Sequence, residues 1–118
     1  MIAIRGAITV NENTKSDILE STKILLMSII EENDLTNDDI ISIYFTATKD
    51  LTKLYPAVAA REIGLTDCSL LCGQEMYVED SLKMCIRALL HVASKCCQKD
   101  AKHVYLREAK SLRPDIIK

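Results

Sequence analysis

Hydrophobic residues change their spacing several times along this chain of 118 residues. From Met1 to Val10 a loose alternation through Ile2, Ile4, Ala7 and Thr9 predicts a β-strand. Arg5-Gly6 sits inside it, and glycine within a strand marks a bulge or a close backbone approach. After the polar turn at Asn11 to Thr14, Ile18, Leu19, Thr22, Leu25, Leu26, Ile29 and Ile30 recur at helical spacing. Thr14 or Ser16 can cap that helix and Asn33 can stop it. The stripe is core packing and needs no ligand to explain it. Thr36 starts a short turn, and Ile40 to Thr48 is β-branched and aromatic, as a buried strand is. Tyr55-Pro56 opens the next helix, with Pro at the first helical position and a stop at Gly64. Cys68 to Cys72 is a short apolar strand, followed by Gly73-Gln74-Glu75-Met76. Asp80 or Ser81 reads as the cap of a second long helix burying Leu82, Cys85, Ile86, Leu89, Leu90, Val92 and Ala93. His103 to Leu106 is a final strand, and Leu112-Arg113-Pro114-Asp115 begins the tail.

Strand and helix thus alternate, which predicts a layered α/β (mixed α+β) fold with a small mixed sheet and packed helices. No repeat or linker breaks the chain, so one domain over residues 1–118 is expected. A chain this short can hold one core, whereas a deep private cleft is harder to build. Small enzymes often place the pocket between subunits, so oligomerisation is expected before any motif is read.

Charge refines the picture. The formal net charge is only -2, yet the segment from Ser81 onward carries nine Lys/Arg against Asp100, Glu108 and Asp115. Most of these lysines are a solvated surface. The sharper alternative is a site that collects small anions. With no basic run and no Trp, a nucleic-acid partner is not expected. The five cysteines are an odd number, without a secretory signal or a membrane-length apolar run, so a cytoplasmic protein with reduced thiols and no membrane partner is expected. Cys68 and Cys72 are spaced C-x-x-x-C with only His91 and His103 to join them, which is not a zinc pattern.

Candidate chemistry lies in polar residues set among apolar ones. Arg5 interrupts the first strand, Arg61 lies on an Ala-rich helix, and Arg87 falls in the apolar stretch after Ser81. Glu75 directly follows a strand, Tyr105 lies in the last strand, and Arg113 precedes a proline. A guanidinium among apolar residues is costly unless paired, and its planar fork matches carboxylates. Any one of these arginines is most simply an ordinary ion pair. Together with one glutamate they point to a small polyanion that carries a hydroxyl or an amine. Cys72 is the best candidate thiol, but no motif ties a histidine to it. No phosphate-binding loop occurs, so no nucleotide cofactor is indicated. The residues alone leave an anion-binding α/β domain of unassigned reaction, with a module that senses an aromatic amino acid or a dicarboxylate, and a thiol enzyme, as alternatives.

Several short segments carry a resemblance. Ile4-Arg5-Gly6-Ala7-Ile8-Thr9-Val10, Ala47-Thr48 with Asp50-Leu51, and Tyr55-Pro56-Ala57 with Arg61-Glu62 are three of them. Cys72-Gly73-Gln74-Glu75-Met76, Leu82-Lys83 with Cys85-Ile86-Arg87, His103-Val104-Tyr105-Leu106 and Leu112-Arg113-Pro114-Asp115 are the others. In this order and at these separations they resemble the AroH-class chorismate mutases across almost the whole chain. The resemblance implies a homotrimer of mixed α/β subunits forming a pseudo-barrel, with pockets at the subunit interfaces. It implies a [3,3] rearrangement of chorismate to prephenate without cofactor, metal or covalent intermediate.

By the same resemblance Arg87 donates to the ether oxygen, Arg5 clamps a carboxylate, and Tyr105 helps to place it. Glu75 and Cys72 bind the ring hydroxyl. Arg61, Tyr55, Ala57 and Leu112 line or close the pocket, and Arg113 contributes to binding. This chain departs from the family at Val58, where a lysine is common, and at Gly73, where a bulkier residue is common.

Overall fold

The computed structural model describes residues 1–114. Five strands and two helices follow one another as β1 (Ile2–Thr9), α1 (Lys15–Glu32), β2 (Ile40–Ala47), α2 (Ala57–Glu62), β3 (Ser69–Gln74), β4 (Cys85–Val92) and β5 (Val104–Leu106). Short 3-10 turns lie at Asn37–Asp39, Gln98–Asp100 and Arg107–Leu112. Asp115 lies outside the described residues.

Helix α1 has the predicted ends. The Thr14 hydroxyl accepts from the Asp17 backbone N–H at 3.1 Å, satisfying one of the free donors of the first turn. Asn33 does more than stop the helix. Its amide donates to the Ile29 carbonyl at 2.9 Å and to the Lys102 carbonyl at 3.0 Å. Its side-chain oxygen accepts from the Lys102 N–H at 2.9 Å. The end of α1 is thereby tied to the segment entering β5. Gly64 adopts φ +95° after α2, where a side chain would be strained.

All five strands form one sheet in the order β3-β2-β4-β1-β5. β4 is central and antiparallel to both neighbours, while the edge strands β3 and β5 run parallel to β2 and β1. One face is covered by α1 and α2 over a core that includes Ile4, Ile8, Leu25, Leu26, Ile29, Ile43, Phe45, Ile86 and Leu90. Gly6 is a close-approach glycine: a Cβ there would lie 2.6 Å from the Ile29 Cδ1 atom and 3.1 Å from that of Leu25. α1 sits directly on β1 because position 6 has no side chain.

The stretch after Ser81 is not a helix, which corrects the sequence expectation. It is an irregular approach followed by strand β4, and Asp80 and Ser81 cap nothing. Ile86, Ala88, Leu90 and Val92 are buried while Arg87, Leu89 and His91 are only half-buried, a period of two. A central strand is apolar on much of both faces, and such a run also fits helical spacing. Glu75 consequently leads into an irregular stretch, not a helix.

Among the described residues the second face of the sheet is largely bare. Register places Arg5 opposite Leu89, Ala7 opposite Arg87, Thr46 opposite Arg87 and Tyr44 opposite Leu89, all on that face. Among the described residues only its β5 side is roofed, where Ala109 and Leu112 pack on Ala7, Cys85 and Tyr105. Tyr44 and Leu71 stay exposed on it, by 41% and 65%. No described helix is long and apolar enough to cross a membrane.

Candidate active site

Four expected residues converge on the bare face. Arg5 from β1, Glu75 after β3, Arg87 from β4 and Tyr105 from β5 line one cavity of about 160 Å³, together with Tyr44 and Thr46. Strand order explains the convergence. β4 and β1 are adjacent, β5 lies beyond β1, and β2 brings the end of β3 in from the other side. Side chains two apart on each strand then share one surface.

Charge in this cavity is arranged around Arg87. Its Nη1 lies 3.6 Å from Glu75 Oε1, with both side chains only partly exposed. Thr46 donates its hydroxyl to the same Glu75 oxygen at 2.6 Å, and the Glu75 N–H donates to the Ala47 carbonyl at 2.9 Å. Glu75 is therefore fixed through both backbone and side chain. The guanidinium is restrained on one side and faces open space on the other.

Arg5 is held by its backbone. Its N–H donates to His103 Nδ1 at 2.9 Å, which requires a neutral imidazole there. Burial lowers the His103 pKa below its ordinary 6.5, and the nearby Arg5 and Arg113 guanidiniums lower it further. The neutral form is thus favoured more in the folded than in the unfolded chain. The resulting stability is fully present above the unfolded value and lost as pH falls through the lowered folded one. The midpoint of urea unfolding should therefore drop as pH goes from above ~7 to about 5, and drop less in His103→Gln. Equal pH dependence in the two proteins would remove His103 from this role.

The remaining expected residues lie elsewhere. Tyr55 and Cys72 line a second cavity of about 660 Å³ beside the β3 edge. The Cys72 thiol is close enough to the Ala57 backbone and the Arg61 guanidinium for both to act on it. Arg61 and Tyr55 are exposed and Ala57 is buried. Cys72 and Glu75 therefore do not share a cavity in one chain, although the resemblance gives them one task. Leu112 belongs to the roof packed against Tyr105, and Arg113 lies near His103.

None of the cysteines is paired. Burial raises the Cys72 pKa, outweighing the Ala57 hydrogen bond and the charge of Arg61. Burial pushes Cys85 up to about 11. Neither is the activated thiolate that a thiol enzyme needs. Two polar residues of the cavity, Tyr44 and Thr46, went unrecognised in the sequence. Their signal was period two: both share the parity that places them opposite Leu89 and Arg87.

The family model described as chorismate mutase type I matches residues 1–116. The chain belongs to the type I chorismate mutase family. Chorismate mutase AroH from Bacillus subtilis (strain 168) is 43% identical over 114 residues, covering 96% of this chain and 90% of the relative. Chorismate mutase AroH from Thermus thermophilus is also 43% identical, covering 96% and 93%. The solved chorismate mutase from Clostridium thermocellum is 50% identical with a TM-score of 0.92, covering 94% of this chain and 99% of its own. As a type I chorismate mutase, the protein is an isomerase of aromatic biosynthesis with a mixed α+β fold.

Proposed function

We propose that this single-domain protein rearranges chorismate to prephenate without a cofactor, in the cytoplasm, at sites shared between the subunits of a homotrimer. The observation that carries the reading is the division of the implied site residues between two surfaces of one chain. Arg5, Glu75, Arg87 and Tyr105 share a cavity on the bare face, and Tyr55, Ala57, Arg61 and Cys72 gather at the β3 edge. The first cavity, at about 160 Å³, is smaller than the ~300–1,000 Å³ of ordinary ligand pockets. A contact between the bare face of one subunit and the edge of the next joins the two halves. Such a contact is head-to-tail, and head-to-tail contacts close into rings when the rotation permits. The bare face, with Tyr44 and Leu71 exposed, also needs a covering layer.

In the rearrangement one ether C–O bond breaks while one C–C bond forms within the same molecule. No atom enters or leaves and no proton need move. The enzyme's task is to hold a compact conformer and to stabilise charge as the C–O bond lengthens. Arg87 donates to the ether oxygen as negative charge grows there. Glu75, 3.6 Å away, restrains that guanidinium and meets the ring hydroxyl, with Cys72 contributed by the neighbouring subunit. Arg5 clamps a carboxylate beside Tyr105. Arg61, Tyr55, Ala57 and Leu112 enclose the substrate, and Arg113 adds to binding from near the tail.

The test is to mix the purified protein with chorismate, follow loss of the ring-diene absorbance and identify prephenate. Saturable conversion with a flat rate across neutral pH is expected. A bell-shaped profile of the chemical step would point to acid–base catalysis and against this mechanism.

A further inference from the structure

We infer that Tyr44 is a further substrate-binding residue, whose hydroxyl reaches the Glu75 end of the cavity because position 73 is glycine; this rests on the mutase reading above. Tyr44 lines the same cavity as Arg5, Glu75 and Arg87. Its ring lies across the neighbouring strand at Gly73. A Cβ placed on Gly73 would collide with the Tyr44 hydroxyl oxygen and come within 3.2 Å of the ring carbon that bears it. Parity gives the direction: Thr46 lies opposite both Gly73 and Arg87, so Tyr44, Thr46, Gly73 and Arg87 share one face. Glu75 follows Gly73 by two residues, and its carboxylate accepts from Thr46. The phenol and the carboxylate assigned to the ring hydroxyl therefore line one cavity from the same face.

Backbone geometry does not account for the glycine. A positive φ is recorded at Gly64 but not at Gly73, so the conformation at 73 is one that any residue adopts. What the glycine supplies is room for a phenol. Among the described residues Tyr44 Oη makes no hydrogen bond, which leaves both its donor and its acceptor capacity for a ligand. A hydroxyl–hydroxyl contact with the substrate ring matches that capacity. Tyr44 and Gly73 act as a pair, and the pair tunes recognition of the ring end of chorismate, leaving the breaking ether bond to Arg87.

A double-mutant cycle tests this. Loss of one neutral hydrogen bond predicts that Tyr44→Phe raises KM for chorismate about 5-fold, with a smaller change in kcat. Gly73→Ala should raise KM by a similar factor, because its methyl group displaces the phenol. In the Tyr44→Phe background, Gly73→Ala should add little, since the colliding oxygen is gone. An unchanged KM in Tyr44→Phe, or equal effects of Gly73→Ala in both backgrounds, overturns the inference. Wild-type conversion is measured first in the same assay. Its absence sinks the mutase reading and this inference together, whereas conversion with a KM indifferent to Tyr44 sinks only the inference.

Discussion

Arg87→Ala should lower turnover at saturating chorismate by at least ~10²-fold, about 2.7 kcal/mol of barrier, as loss of a preorganised donor to a developing oxyanion does. The expectation follows from where Arg87 sits. It is on the central strand, held in register on one side by Ala7 and on the other by Thr46. Its partner Glu75 is itself fixed by Thr46. The guanidinium is thus placed before substrate arrives, and little reorganisation is needed as charge develops. Arg87→Lys keeps the charge but loses the planar fork, and should recover only part of the loss. Because the group acts in the transition state, kcat should fall far more than KM rises. Near-normal turnover in Arg87→Ala would take the central role away from this residue.

Positioning and restraint also explain why a cation can serve in a half-buried place. Arg87 side-chain exposure is 41% and that of Glu75 is 23%, so the isolated pair gains little from its charge attraction. The value of the pair is geometric. Glu75 limits the orientations of the guanidinium, and the field of the pair would strengthen in a site from which bound substrate excludes water.

The sequence disclosed some elements of this fold and hid others for identifiable reasons. α1 was legible from cap to cap because a one-sided helix buries a single stripe, and Thr14 and Asn33 both make the bonds their positions imply. Gly6 was legible as either a bulge or a close approach, and the nearness of Ile29 and Leu25 decides for the close approach. β4 was not, since a central strand with apolar residues on both faces satisfies helical and strand spacing alike. The arginines and Glu75 stood out as polar residues among apolar ones. Their meeting depends on strand order, which no local pattern encodes: Arg5 and Glu75 are brought together by the β2-β4-β1 sequence of strands. Tyr44 and Thr46 were invisible for the opposite reason, because aromatic and β-branched residues in a strand are ordinary.

Two inactive proteins should restore activity to each other. Arg87→Ala damages the bare face and leaves the β3 edge intact, while Tyr55→Ala/Arg61→Ala damages the edge region and leaves the face intact. If each site draws its face from one subunit and its edge from the next, an intact site needs both from the right parent. In an equal mixture, unfolded and refolded together, each condition is met half the time, so about a quarter of wild-type activity should return whatever the ring size. Sites confined to single subunits would return nothing, since every chain carries a lesion. Simple mixing without subunit exchange should also return nothing, which controls for trace wild-type enzyme. The outcome bears directly on the two cavities, because Arg87 lines one and Tyr55 the other. Recovery near a quarter would mean that they are halves of one site, and that a chain of 118 residues has met the demand for a closed pocket by sharing it.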